Sequence, residues 1–573
     1  MGVRRLIFPS GLPIIHRMGS LNVSGRLAQL GERYLYTVDV TGSIPVPPIS
    51  ASAACLRPFM LFNSYGFILV FLPVAFIGFF WLGRRFTHPV ALTWLVWMSL
   101  VFYGWWNPAY LVIIFFSLLF NYAIGIQLDS QRRQRKPGNR ILALGVAVNL
   151  VLLGYYKYAG FLTENLNTVL GTQWPRPEIL LPLAISFFTF QQIAYLVDTH
   201  RGVTHQYKFL QYCLFVTFFP QFVAGPIVHH KEILPQFSRP EIYRIQPRMI
   251  SMGTAFFFVG LFKKVVIADE AALYASPLFS AAAGGMDLTL AEAWLAGLSY
   301  TFQLYFDFSG YSDMAVGLGM LFGIRLPLNF HSPYKAGSII EFWRRWHITL
   351  SRFLRDYLYF ALGGNRKGSA RRYLNLVATM LLGGLWHGAG WTYVVWGGLH
   401  GFMLALNHGW RYMKTRLDIV QDKTVSQPSS GVLSPLPVAR MGSALGVGLT
   451  FGLVVVGWVF FRAPNLPTAF SIVGSMGMVD QTHLAHHHGV ISLNTGYNFV
   501  AALLAVVWLL PNTQQIMGRY FHPLPVDVPL TKESPPTKLL WRPSPLWALG
   551  VAILAGMGIL GLSRVSEFIY FQF

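Results

Sequence analysis

The feature that most constrains this chain is the succession of apolar runs, each near the length of a membrane-crossing helix, over almost its whole length. A helix needs about 20 apolar residues to cross the hydrocarbon core. Runs of this kind occupy 61–82, 90–104, 109–126, 141–160, 179–197, 209–228, 250–268 and 291–324, the last expected as two pieces broken near Gly310. Others occupy 373–388, 391–408, 441–461, 498–511 and 546–562. Only 12% of the 573 residues are charged, about half the share usual in soluble domains. The reading is an all-α, polytopic integral membrane protein with about 11–13 membrane helices, some of them re-entrant or interfacial. Non-helical backbone at membrane depth is tolerated only where protein or water satisfies it.

The charge balance, 44 Lys and Arg against 22 Asp and Glu, does not indicate nucleic acid, because no basic face sits on a soluble module. Basic residues collect in loops that stay cytoplasmic and face anionic lipid. Arg84–Arg85, Arg132 to Lys136, Lys231 to Arg248, Arg344 to Arg372, Arg411 to Arg416 and Lys532 to Arg542 are therefore expected inside. The stretch 269–290, with Asp269, Glu270 and Asp287 but no Lys or Arg, is expected outside. These assignments alternate if 209–228 enters and returns on the cytoplasmic side. Trp105, Trp106 and Trp174 flank spans as interfacial aromatics do. Cys55 and Cys213 give neither a disulfide framework nor a metal spacing, and Cys213 reads as a small core residue.

Residues 1–59 are mixed in polarity and hold no spanning run. Part of this stretch resembles the peptide obtained when a transfer-RNA gene is translated. The expectation is a non-native or disordered extension, with the protein starting at Met60 and one membrane domain over 60–573. Recovery of a peptide from Leu27–Ile49 in the native protein would overturn it.

The segment 334–372 is too charged to span. Ile339, Ile340, Phe342, Trp343, Trp346, Leu350, Phe353, Leu354 and Tyr357 recur at helical spacing, with Arg344, Arg345, Arg352, Arg355 and Asp356 between them. The pattern predicts a basic amphipathic helix in the membrane interface, ended by Gly363-Gly364-Asn365. Lys263 and Lys264 read as snorkelling anchors.

Ionisable residues inside apolar runs are costly, and functional candidates by default. His387 lies at the end of about 20 Å of helix counted from Tyr373, among Gly383, Gly384, Gly388 and Gly390, with Trp386 and Trp391 as apolar walls. A neutral imidazole is the usual base for a hydroxyl; a histidine bonding two helices together is the plain alternative. His347, between Trp346 and Ile348, is either an interfacial residue or one that positions a substrate. Asp307, Ser309, Tyr311 and Asp313 share an apolar setting, as helix caps or substrate contacts. His483, His486, His487 and His488 read as a solvated loop, so no metal site is assigned.

The strings "SPYKAGSIIEFWRRWHITLSRFLRDYLYFALGGNRKG" and "NLVATMLLGGLWHGAGWTYVVWGGLHG" closely resemble the bacterial alginate O-acetyltransferase branch of the membrane-bound O-acyltransferases. So do "MLFNSYGFILVFLP", "LPLAISFFTFQQIAYLVD", "FFPQFVAGPIVHH", "GLFKKVVIAD", "YFDFSGYSDMAVGLG", "GWVFFRA" and the terminal "FIYFQF", so that the resemblance runs in order from Met60 to Phe573. The resemblance implies a funnel-shaped helical enzyme of the bacterial inner membrane, with His387 catalytic and His347 as the second family histidine. Trp343, Arg345, Trp346, Trp386, Asp307, Ser309 and Tyr311 are then candidate substrate contacts. It implies no bound cofactor, with acetyl-CoA as cytoplasmic donor substrate. The acetyl group would pass, directly or through an extracytoplasmic acetyltransferase partner, to a polysaccharide such as alginate. A polytopic transporter, a haem-binding redox protein with His347 and His387 as axial ligands, and a structural scaffold of a polysaccharide export complex stay open as rivals. A transporter predicts internal two-fold repeats, which the sequence does not display.

Overall fold

A computed structural model describes residues 60–204, 207–223, 225–422, 437–478, 492–521, 524 and 539–564. For 416–422 and 437–443 only the backbone is described. The expectations for 1–59 and for His483, His486, His487 and His488 lie outside these residues.

Among the described residues the secondary structure is helical, with no strand. Helices α1 (Phe67–Arg85), α2 (His88–Gly104), α3 (Tyr110–Arg133) and α4 (Asn139–Leu170) open the fold. Then follow α5 (Ile185–His200), α6 (Phe209–Thr217), α7 (His230–Phe237), α8 (Pro247–Ala283) and α9 (Leu290–Leu321). Two short helices come next, α10 (Ile339–Arg345) and α11 (Ile348–Phe353), then a hairpin of α12 (Gly368–His387) and α13 (Trp391–Asp422). Helices α14 (Pro437–Arg462), α15 (Leu466–Gly477), α16 (Leu493–Leu509) and α17 (Pro545–Gly561) end the described part. Among the described residues, five stretches are long and apolar enough to cross a membrane: α1, α3, α4, α8, and Ala444–Arg462 within α14.

Helix α9 organises the interior. Its start is fixed by a T-x-x-E capping box: Thr289 N–H donates to Glu292 Oε2 at 2.9 Å and Glu292 N–H returns to Thr289 Oγ at 3.3 Å. Residues up to Phe308 pack into one core with α13 and α14; those from Tyr311 on pack into another with α1, α2 and α8. Gly253 and Gly260 of α8 face Gly317 and Gly310 of α9, and a Cβ on any of the four would overlap the facing backbone. Small residues at such crossings let membrane helices touch.

This packing corrects the expected break near Gly310. Helix α9 is continuous over 32 residues, because Gly310 serves close approach to α8 rather than a kink. The run 209–228 forms no long span: α6 has 9 residues and ends before Phe218, after which a short turn covers Phe219–Phe222. The stretch 269–290, expected outside, is helical as far as Ala283, where α8 ends. Cys213 is buried in the first core, as expected.

Lysine 264 is not a snorkelling anchor. It is 1% exposed, its ammonium 2.6 Å from Asp307 Oδ1 and 2.7 Å from Asp269 Oδ1. Lys263 likewise reaches Asp313 Oδ2 at 2.6 Å. A lysine can reach the interface only when no carboxylate waits nearer in the interior, and here two do.

Candidate active site

The segment around His347 departs from a single amphipathic helix. It is two short helices, broken at Trp346–His347, and its apolar side chains are buried. The break is built by main-chain bonds. Trp346 N–H closes α10 on Phe342 O, and Ser351 N–H opens α11 on His347 O. Either side of the break, His331 N–H donates to Arg345 O and Ile348 N–H donates to Asn329 O, both at 2.9 Å. The 329–331 stretch thus clamps the chain, and His347 is held with φ 41° and ψ 54°. A non-glycine residue in this left-handed region is uncommon and carries strain. Side-chain bonds brace the same place: Thr349 Oγ–H donates to Asn329 Oδ1 at 2.6 Å, and Asn329 Nδ2–H donates to Ser312 Oγ at 3.1 Å.

His347 is 1% exposed, and neither ring nitrogen has a hydrogen-bond partner among the described residues. A buried imidazole left this way costs free energy. Burial pushes its pKa down to about 3, so the ring is neutral and can accept or donate one hydrogen bond. Its ring packs edge-on against Phe308 at 4.7 Å and lies 6.5 Å, centre to centre, from His387.

His387 is the last residue of α12 and is buried among Trp386, Trp396 and Phe461, with ring centres 4.9, 5.3 and 5.2 Å away. The nearby glycines serve helix packing. A Cβ on Gly384 would overlap the Tyr393 carbonyl, one on Gly388 the Tyr393 ring, and one on Gly397 the Met380 carbonyl. Trp386 is a wall of the site, whereas Trp391 is not: it is 54% exposed, and its Nε1–H donates to Asn165 at 2.8 Å.

The end of α12 is capped from a distance. A helix leaves its last four carbonyls without internal partners. Gly384 O accepts from Gly388 N–H at 3.3 Å. Leu385 O accepts from the Tyr158 hydroxyl at 2.9 Å, and Trp386 O and His387 O accept from Lys157 Nζ at 2.5 and 3.0 Å. Lys157 and Tyr158 belong to a π-helical turn, Gly154–Tyr158, inside α4. Such turns recur at functional sites.

The other candidates divide. Trp343 is buried and donates Nε1–H to His400 Nδ1 at 3.2 Å, tying α10 to α13. Trp346 packs on Phe342 at 5.6 Å and Trp458 at 4.8 Å, directly beside His347. Trp386 packs on His387 at 4.9 Å and Trp346 precedes His347 in the chain, while Trp343 meets Trp396, which in turn contacts His387. Arg345 is held by Glu341 at 2.6 Å, and Asp307 by Lys264. Ser309 is buried, its hydroxyl without a partner among the described residues, and Tyr311 stacks on Phe62 at 4.5 Å in the other core.

Lys157, Tyr158 and His400 were not singled out from the sequence. Lys157 carried a usable signal, being the lone charge in "NLVLLGYYKYAGF". A further polar group joins Asp198, His230 and Tyr357. His230 Nε2 lies 3.0 Å from Asp198 Oδ2, and the Tyr357 hydroxyl donates to the same oxygen at 2.8 Å. Stacked Phe190 and Phe353 connect it to Trp386.

Residues 201–436 match the membrane-bound O-acyltransferase family, MBOAT. The chain is 41% identical over 469 residues to a peptidoglycan O-acetyltransferase of Helicobacter pylori, covering 76% of this chain and 84% of that protein. It is 38% identical over 523 residues to a probable alginate O-acetylase of Pseudomonas putida, covering 90% of this chain and 100% of that protein. A teichoic acid D-alanyltransferase of Streptococcus thermophilus is 30% identical over 311 residues, covering 51% and 70% respectively.

Proposed function

This chain belongs to the membrane-bound O-acyltransferase family, and we propose that it takes an acetyl group from cytoplasmic acetyl-CoA and delivers it across the bacterial inner membrane for O-acetylation of an exported polysaccharide such as alginate. The observation that carries the reading is the pair of buried imidazoles, His347 and His387, with ring centres 6.5 Å apart. Reacting contacts of about 3–3.5 Å allow one acyl centre to touch both.

The chemistry follows from this pairing. A hydroxyl attacks the thioester carbonyl; its proton passes to His387 as the C–O bond forms. The C–S bond then breaks, and the leaving thiolate takes the proton from His387. A free hydroxyl ionises too weakly at neutral pH to attack unaided, so a positioned base contributes about 10²–10⁴-fold. His347, neutral by burial, orients the donor or holds its carbonyl oxygen. Trp343, Trp346 and Trp386 wall the space.

The donor is cytoplasmic and the polymer outside, so the acetyl group must cross about 30 Å of hydrocarbon that coenzyme A cannot follow. The reading therefore includes a path through the protein from the inside and an extracytoplasmic acetyltransferase docking on the far face. The names of the relatives, a peptidoglycan O-acetyltransferase and a probable alginate O-acetylase, support a glycan acceptor, with alginate the example proposed.

The test is transfer of labelled acetyl from acetyl-CoA in vesicles holding the full chain. His387→Ala is expected to abolish transfer while its abundance in the membrane stays at the wild-type level. Transfer at the wild-type rate would sink the reading. Orientation is checked separately: a cysteine at Ser369 is expected to resist a membrane-impermeant thiol reagent in intact cells. Labelling there from outside would overturn the cytoplasmic donor.

A further inference from the structure

We propose that Lys157 is a positioning residue for acyl transfer: its ammonium, fastened to the last two carbonyls of α12, holds His387 at its station beside His347. The proposal rests on the reading of His387 as the base.

Three observations carry it. The first is that the cap is complete. All four terminal carbonyls of α12 are satisfied, and two of the four bonds come from one ammonium. Gly388, directly after His387, has left the helix, with φ −154° and ψ 147°. The last helical turn therefore has no further helix beyond it to take up its carbonyls, and Lys157 and Tyr158 bind three of them from α4.

The second is charge. The C-terminus of a helix carries partial negative charge that favours a cation. Among the described residues Lys157 has no carboxylate partner; its recorded contacts are the two carbonyls and the face of the Trp386 ring, 5.8 Å from its centre. A lysine in a spanning helix, without a counter-ion, is costly. Lys264 shows how this fold treats a structural buried lysine: it is placed between two carboxylates. Lys157 is placed instead on the carbonyl of the proposed catalytic residue itself.

The third is geometry. The π-helical turn Gly154–Tyr158 interrupts α4 where Lys157 and Tyr158 are needed, and consecutive residues both reach α12.

The test compares Lys157→Met, Lys157→Gln and Lys157→Arg with His387→Gln, all in full-length protein in native membranes, reading kcat and KM for acetyl-CoA-dependent transfer and the abundance of each variant. A displacement of about 1 Å at a reacting group costs on the order of 10²-fold. Lys157→Met and Lys157→Gln are therefore expected to lose about 10–100-fold in kcat with KM within about twofold of wild type. Lys157→Arg, which keeps the charge and can still donate to two carbonyls, is expected to recover most of that loss. Lys157→Met at the wild-type kcat, with His387→Gln inactive, would overturn this proposal alone. A rise in KM with kcat unchanged would overturn it too, by making Lys157 a substrate contact. If both uncharged variants are missing from the membrane while Lys157→Arg is abundant and active, the lysine serves folding and the proposal falls. An active His387→Gln would instead overturn the reading on which this proposal rests.

Discussion

Asp307 and Phe308 are neighbours on α9, yet they serve regions of opposite character. Asp307 turns to Lys264, which also reaches Asp269, so charges buried in the interior are matched by charges. Phe308 turns to His347, whose two ring nitrogens have no partner among the described residues. Both regions sit deep in the protein. Ion pairs at such depth hold helices in register and gain little from anything that binds. An imidazole held in a left-handed backbone and left without partners gains from the first group that offers it a hydrogen bond. On the proposed reading, the difference separates scaffold from chemistry inside one apolar interior.

Four substitutions test that separation, beginning with the largest effect. His387→Gln keeps hydrogen bonding but removes the base, and is expected to lower kcat by about 10²–10⁴-fold with membrane abundance unchanged. Lys264→Met should do the reverse. It leaves two carboxylates buried without their cation, a loss of about 3–5 kcal/mol, read as a lower melting temperature and less folded protein after detergent extraction. The enzyme that survives should keep its kcat; a selective loss of kcat at full stability would place Lys264 in the chemistry and erase the contrast. His347→Ala should cost about tenfold in kcat, equal to roughly 1.4 kcal/mol, without a fall in melting temperature. A large fall in stability there would make His347 part of the scaffold. Ser309→Ala is the smallest. If its hydroxyl meets substrate, KM should rise by about 2–10-fold, the value of one hydrogen bond, and an unchanged KM would remove Ser309 from the site.

Much of the architecture was legible because it is written in local sequence. Apolar runs gave the helical membrane fold, and the distance from Tyr373 to His387 gave that histidine its place at a helix end. What the sequence hid depends on partners far along the chain. Lys264 read as an anchor because Asp307 lies 43 residues later. Gly310 read as a break because its reason for being glycine is Gly260 on another helix. The amphipathic pattern of 339–357 ran unbroken through His347, since nothing in that pattern reports the clamp by Asn329 and His331. Lys157 was visible as a lone charge, but its role needed the carbonyls of Trp386 and His387.

The cap on α12 also bears on how the protein is made. His387, the proposed base, has its carbonyl capped by a lysine synthesised 230 residues earlier. While α4 enters the membrane, that ammonium has nothing to bind and must stay hydrated or at the lipid interface. It can settle only when α12 arrives and offers its carbonyls. Maturation of the site is therefore a late event in biogenesis, and a nascent chain that stalls before Trp386 carries the keystone without the arch.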